Sequence, residues 1–461
     1  METITALLEP GRRTHLIGIG GVSMSALAEV LFGRGLIVTG SDRQEGEALA
    51  RLRELGILVE TGESGLYMPG ADAAIRTAAA REDNPEVMAA RRMGIPLLER
   101  ADAWGELMRG YKRSLCVAGT HGKTTTTGML AHIAVEAGAD PTVMMGGRLP
   151  LFAGSYRVGQ GGMIVAEACE YRNSYHRFFP TTAVILNIDA DHLDVFAGLD
   201  ELCDSFRTFA GLVPDESGVI VANGEDANTR RALDGIGRRA VWFGKDCAVR
   251  AARAVNNRGR YSFTVMADGK PYAAVRLKVP GRHNMLNALA AAAAAYVNGL
   301  PGKAAERGLA AFAGVGRRME CLGNLNGADI YDDYAHHPSE VSATLAAARL
   351  MGYRRLVCVF QPHTYSRTKA LFEEFISALS GFDKVFLADI YAARESDPGD
   401  ISSEMLADGI PGAVYAGGLD ELAGTVSDSL RPGDLLITMG AGDINKLAYA
   451  LLAGGREGRK A

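Results

Sequence analysis

The chain carries no C-x-x-C pair, no apolar run long enough to span a bilayer and no excess of basic residues. Its six cysteines, Cys116, Cys169, Cys203, Cys247, Cys321 and Cys358, stand apart from one another. That spacing argues against structural zinc and a disulfide framework, and each cysteine reads as a small buried apolar residue. The longest apolar run, Ala288 to Val297, falls short of the ~20 residues a spanning helix needs. Its alanines suit a tightly packed buried helix instead. The opening stretch METITALLEPGRR places no apolar core behind basic residues, so it does not read as a signal peptide. Lys and Arg number 49 against 54 Asp and Glu, a net charge of -5, which excludes a broad nucleic-acid surface. Cations that meet phosphates must therefore be local. These absences predict a cytoplasmic protein that engages neither membrane nor nucleic acid; monomer and homodimer both stay open.

What is present is an ordinary globular composition, 48% hydrophobic and 22% charged over 461 residues. At ~100–200 residues per domain this length holds about two to four domains. The first apolar run, Thr14 to Ile17, meets a glycine cluster at Gly18, Gly20 and Gly21. A helical pattern through Met24, Leu27, Ala28 and Leu31 follows, then a second run from Leu36 that ends in Gly40, Ser41 and Asp42. Strand, glycine turn, helix and strand make a nucleotide-binding βαβ unit. A second unit starts with the strand Ser114 to Ala118, runs into GTHGKTTTT and continues in a helix from Met129 to Ala137. Further buried strands are predicted at 162–166 and 183–187. Between about 213 and 280 the runs shorten and alternate, with a turn signal at Ala267-Asp268-Gly269, which reads as a β-rich insertion or a second sheet in the same domain. A third unit follows Arg317, with strands at 356–360, 384–388 and 434–438; the tail GGREGRKA reads as frayed. The prediction is an α/β chain of three tandem domains. Residues 1–111 are Rossmann-like, 112–316 form a P-loop ATPase-type domain with a parallel sheet, and 317–461 are Rossmann-like again.

The most informative segment is Gly119-Thr120-His121-Gly122-Lys123-Thr124. Glycines let backbone N–H groups turn toward oxyanions, and the N-terminus of the following helix adds a favourable dipole. A lysine such as Lys123 reaches the β- and γ-phosphates, and the Thr124 hydroxyl can bind Mg²⁺. Thr120 and Thr125 flank them as further candidates. The fit to the general P-loop pattern is partial, because Val117 stands where its first glycine would fall. Glu167 and His192 follow predicted strands, at the edge where parallel sheets bind ligands. A carboxylate and an imidazole there can hold Mg²⁺ beside a γ-phosphate. In the first unit Gly18, Gly20 and Gly21 permit close approach to a diphosphate, Ser25 follows them, and Asp42 can contact a ribose hydroxyl. Ser23 stands where a dinucleotide fingerprint has its third glycine, which weakens an oxidoreductase reading.

The motifs GTHGKTTT, EACE, NIDADHLD and PGRHNMLNALAA together resemble the Mur ligases, which build the peptide of bacterial cell-wall precursors. HLIGIGGVSMSALAEVL, DDYAHHP, FQPHTYSRT and GAGDI extend the resemblance over nearly the whole chain, and sharpen it toward the members that add the first amino acid. The resemblance implies ATP and Mg²⁺ as cofactors, and UDP-N-acetylmuramate and L-alanine as the molecules joined. It implies that Lys123 and Thr124 hold ATP and Mg²⁺, that Glu167 and His192 are metal ligands, and that His283, Asn284 and Asn287 lie near the adenine. It further implies a C-terminal domain that closes over ATP, with Arg317, Asp332, Tyr334, His336 and His337 lining the cleft. His363 and Arg367 match positions near the incoming amino acid and the acyl end of the sugar. The chain departs from several Mur ligases in one respect. No lysine occurs between Lys123 and Lys245, so the carbamylated lysine of those relatives has no counterpart there; Arg207 is the nearest basic candidate.

A carboxylate does not condense with an amine at neutral pH, because oxide is a poor leaving group. ATP-dependent acyl phosphate formation solves this, with His337 or His363 as candidate acceptor of the amine proton. Other readings compete. They are a recycling ligase that attaches a preformed peptide, a polyglutamylating ligase, a non-catalytic nucleotide switch, and an oxidoreductase. Alanine, glycine and serine all remain open as the added amino acid.

Overall fold

Five short strands, each buried toward its middle, open the chain and align in parallel. Leu58–Thr61, Ile37–Asp42, Arg13–Ile17, Ala73–Arg76 and Leu97–Glu99 lie side by side in that order. The order reverses between Arg13–Ile17 and Ala73–Arg76, so a crevice opens beyond their carboxyl ends, at Gly18 and Thr77. The computed structural model describes residues 3–77, 79–191, 195–393 and 395–457. They group into two compact units: residues 1–188, 200–248 and 290–305, and residues 189–199, 249–289 and 306–461.

The first unit holds the five-stranded sheet and a second, mostly parallel one. In the second the order is Ala240–Phe243, Val219–Asn223, Thr182–Ile185, Arg113–Ala118, Met163–Glu167 and Thr142–Leu149, with Gly154–Arg157 antiparallel at the edge. The register sets Val117 beside Glu167 and Ala118 beside Ile185, so these strands end level. Two strands of the region expected to be a β-rich insertion or a second sheet, Val219–Asn223 and Ala240–Phe243, belong to this parallel sheet. Their apolar runs are short because each is a five- or four-residue strand.

In the second unit Val249–Asn257, Arg260–Ala267 and Lys270–Pro280 form an antiparallel meander. Asp268 and Gly269 turn the last hairpin with φ of 47° and 77°, the left-handed pair a two-residue turn needs. The C-terminal sheet runs Glu320–Leu325, Ala328–Asp333, Asp434–Met439, Arg355–Phe360, Lys384–Leu387 and Val414–Tyr415, parallel except for the first hairpin. Its faces follow the period of two along a strand. Leu356, Cys358 and Phe360 pack with Val341, Phe375 and Leu379 on one face. Val357 and Val359 pack with Leu422, Ile444 and Leu447 on the other.

The alanine-rich run lies in the helix Arg282–Val297, with Ala288 to Ala295 buried. No described helix is long and apolar enough to cross a membrane. Two cysteines depart from expectation: Cys169 and Cys321 are exposed, while Cys116, Cys203, Cys247 and Cys358 are buried. Cys321 sits on an antiparallel edge strand that is only partly covered. The tail reading changes too, since the helix Asn445–Glu457 continues into the glycine-rich stretch; residues 458–461 lie outside the described residues.

Candidate active site

The strand Arg113–Ala118 delivers the chain into the phosphate loop, and the helix Lys123–Glu136 starts at once behind Gly122. The helix was expected from Met129. Four threonines are weak helix formers, but here Thr124 to Thr127 are buried, and packing overrides propensity. Gly119 has φ of +147°, and a Cβ there would lie 2.9 Å from Leu186 Cβ. Asn187, past the next strand, fixes the loop from the side. Its Oδ1 accepts from His121 N at 2.8 Å, its Nδ2 donates to His121 O at 3.1 Å, and its carbonyl accepts from Thr120 N at 3.0 Å.

Lys123 folds back over this loop. Its Nζ donates to Gly119 O at 2.5 Å, to Thr120 O at 3.0 Å and to Glu170 Oε1 at 3.0 Å. Burial opposes the charge, but the carboxylates of Glu170 and Glu167 outweigh it and hold the ammonium protonated well above its ordinary range. Thr124 Oγ1 lies 3.0 and 2.9 Å from the two oxygens of Glu167, and Gly146 N donates to Glu167 Oε2 at 2.7 Å. A hydroxyl in the first turn of a helix and a carboxylate at a strand end are hard oxygen donors of the kind Mg²⁺ selects. His192, the third expected ligand, lies outside the described residues. Glu170 and Asn187 were not singled out from sequence. The second acid of EACE and the asparagine opening NIDADHLD were the available signals.

Arg207 is placed elsewhere. Its Nη1 donates to Ala232 O at 3.1 Å and Asp234 O at 2.6 Å, closing the end of the helix Ala227–Leu233. It is a C-terminal cap, because those carbonyls have no partner within their own helix.

The glycine loop of the first sheet lies on a cavity of about 350 Å³ shared with Glu167. Gly18 has φ of +76°, and a Cβ there would come within 2.7 Å of Thr77 Cγ2. Asp42 Oδ2 accepts from Gly20 N at 2.9 Å, so this carboxylate shapes the glycine loop itself. Gly21 caps the helix Val22–Gly33 without any side-chain cap. Ser25 is buried and its hydroxyl donates back to Val22 O at 3.1 Å, behind the loop rather than in front of it.

In the second unit Arg317 anchors the C-terminal sheet. Its Nε donates to Asp332 Oδ2 at 2.9 Å, Nη1 to Gly442 O at 2.9 Å and Nη2 to Gly440 O at 2.8 Å. Asp332 is fully buried and also accepts from Thr438 Oγ1 at 2.7 Å. The Tyr334 ring lies under the Arg317 guanidinium, 4.9 Å from ring centre to carbon. Arg367 donates to Asp191 Oδ1 at 3.0 Å and contacts His363 Nδ1 at 3.2 Å. Burial, then the neighbouring His336 and Arg367, lower the His363 pKa to about 4. His336 is lowered as well, first by burial. The His363 ring is neutral at pH 7.

His337 has a different job from the one expected. Ser339 N donates to its Nδ1 at 3.3 Å, which makes it the N-cap of the helix Pro338–Arg349. Its Nε2 meets Ala190 O at 3.1 Å. Both nitrogens of His337 are thus engaged. Asn284 Nδ2 donates to Pro280 O at 2.7 Å and Asn287 Nδ2 to Asn284 Oδ1 at 3.2 Å, so the pair is mutually oriented at the start of its helix.

These features define an ATP-dependent ligase fold, and comparison with known proteins agrees. Residues 13–112 match the Mur ligase family catalytic domain, 117–295 the Mur ligase middle domain, and 317–442 the Mur ligase glutamate ligase domain. The chain belongs to the Mur ligase family. It is 43% identical to the UDP-N-acetylmuramate–L-alanine ligase of Acetivibrio thermocellus, over 98% of each chain. It is 41% identical to that of Clostridium perfringens, over 97% of this chain and 99% of the relative. Among solved structures, the UDP-N-acetylmuramate–alanine ligase of Thermotoga maritima superposes with a TM-score of 0.79 at 30% identity, over 97% of this chain and 99% of that one. A murein peptide ligase of Psychrobacter arcticus gives 0.72 at 25% identity, over 96% and 99%.

Proposed function

We propose that the chain is a cytoplasmic ligase that joins the lactyl carboxylate of UDP-N-acetylmuramate to L-alanine at the expense of ATP, in peptidoglycan precursor synthesis. The observation that carries it is the convergence of Lys123, Glu170, Thr124 and Glu167 at one sheet edge, where Glu167 lines a cavity that also reaches the first glycine loop. Segment 1–111 takes the UDP-sugar, 112–316 takes ATP and 317–461 takes the amino acid.

The sugar carboxylate attacks the γ-phosphorus and ADP leaves, giving an acyl phosphate. The amine of L-alanine then attacks the acyl carbon, and the tetrahedral intermediate collapses to an amide and inorganic phosphate. Lys123 and the N-terminus of its helix stabilise charge on the transferring oxygens. Thr124 and Glu167, with His192, would hold Mg²⁺. That ion would supply further charge neutralisation on the phosphates. Glu170 aims the lysine. Arg367 orients the amino-acid carboxylate, and His363, neutral at pH 7, accepts the amine proton. The tests of alignment are strict, since a misplacement of about 1 Å can cost ~10²-fold in rate.

The test is phosphate release with ATP, Mg²⁺ and UDP-N-acetylmuramate, with and without L-alanine. Release that requires both substrates, and is lost in Lys123→Ala, is the expected result. Release only with a peptide acceptor would make the chain a recycling ligase. ATP binding without turnover on either acceptor would leave a nucleotide switch.

A further inference from the structure

The cavity of the first unit runs from Gly21 and Ser23 at the N-terminus of one helix to Glu167 and Cys169 beside the phosphate loop, with Trp104 and Met144 among its walls. Among the described residues that line it, Arg100 is the one cation and Glu167 the one carboxylate. Arg100 opens the helix Arg100–Met108. A cation is unfavourable there, because the helix dipole already places positive partial charge at that end. It is also partly buried, and burial lowers its pKa against the opposing influence of Cys169 and of Glu99, the residue before it. Several arginines around the first sheet have a carboxylate partner: Arg12 with Asp72, Arg51 with Glu29, Arg76 with Glu99. Arg100 has no ion pair or hydrogen bond among the described residues. A cation held against a helix N-terminus, half out of water and in no direct ion pair among the described residues, is stabilised when an anion meets it in the cavity.

We infer that Arg100 is a substrate-anchoring residue that receives an anionic oxygen of the UDP-sugar in this cavity. The inference rests on the proposed ligase function and names a residue for it. Two anionic groups of that substrate share the required chemistry, the diphosphate and the lactyl carboxylate. The glycine loop and the bare N-terminus behind Gly21 form one end of the cavity and suit the diphosphate. Glu167 and Gly146 form the other, where a carboxylate must lie to reach the γ-phosphate. The planar guanidinium can bind either group through two parallel hydrogen bonds. The apolar walls suit the C–H faces of a sugar ring.

The experiment measures calorimetric binding of UDP-N-acetylmuramate and of UDP-N-acetylglucosamine, which lacks the lactyl carboxylate, to the wild-type chain, Arg100→Met and Arg100→Lys. Affinity for ATP, the melting temperature and phosphate release are read in parallel. The expected result is that Arg100→Met weakens UDP-N-acetylmuramate about ten- to a hundredfold with ATP affinity and melting temperature unchanged. Arg100→Lys should recover part of the loss. Equal weakening of both sugars assigns the arginine to the diphosphate; weakening of UDP-N-acetylmuramate alone assigns it to the carboxylate. Affinities within twofold of wild type for both sugars overturn the inference. So does a loss shared with ATP affinity and melting temperature, which marks a structural role. A wild-type chain that binds the sugars but releases no phosphate sinks the ligase function and leaves the binding comparison in force.

Discussion

The ammonium of Lys123 lies 3.0 Å from a carboxylate oxygen of Glu170, which is itself buried in the turn after Glu167. The pair fixes where the lysine's charge sits over the phosphate loop. Lys123→Ala is expected to lower kcat by ~10²–10³, the scale of losing one preorganised charge. Glu170→Gln should lower kcat more than it changes the KM for ATP, because the lysine stays charged but loses its aim. Steady-state kinetics distinguish the two. An unchanged kcat in Glu170→Gln removes the positioning role.

Gly119 cannot take a side chain without moving the loop. Its φ of +147° is a conformation L residues avoid, and Leu186 Cβ stands 2.9 Å from the position of a new Cβ. Gly119→Ala should lower stability by about 1–3 kcal/mol, the usual scale of such strain, and abolish ATP binding. Thermal melts and an ATP titration check both halves.

His337 separates structure from chemistry. As an N-cap it accepts from Ser339 N, a job that asparagine does as well. His337→Asn should therefore keep both stability and most activity, whereas His337→Ala should lose about 1 kcal/mol in urea unfolding. If the asparagine variant is as inactive as the alanine variant while fully stable, the imidazole is chemical after all.

His283 sets a pH dependence. Burial, helped by Arg318, lowers its pKa to about 4 from an ordinary value near 6.5. The folded chain therefore refuses a proton that the unfolded chain accepts. Stability from this neutral imidazole is complete above the unfolded pKa and is lost as pH falls from about 6.5 toward 4. At pH 5 the loss amounts to about 2 kcal/mol relative to pH 8. His283→Gln should flatten the wild-type acid dependence by that amount in denaturant melts at the two pH values. Parallel curves for both proteins would contradict it.

Much of the site was legible in the sequence because backbone chemistry constrains it locally. A strand, a loop with Gly119 and Gly122, a lysine and a threonine can be read in order, since a phosphate cradle needs those residue types at neighbouring positions. The βαβ unit at 14–42 and the strands near 356, 384 and 434 were readable for the same reason: their apolar runs are continuous. The long helix behind Gly122 was read six residues too late, because propensity speaks against four threonines and only tertiary burial speaks for them.

What the sequence by itself determined is the order of elements, the identity of the phosphate loop and the membership in a ligase family, all written in contiguous motifs. Only the tertiary structure decided the partnerships. Glu170 meets Lys123, Asn187 braces His121, Arg207 caps a helix instead of standing in for the carbamylated lysine of related ligases, and Arg100 lines a cavity opposite Glu167. These pairings join residues far apart along the chain. They depend on which strands lie side by side and where they end, and that is fixed by packing both faces of the sheets, a property of no single segment.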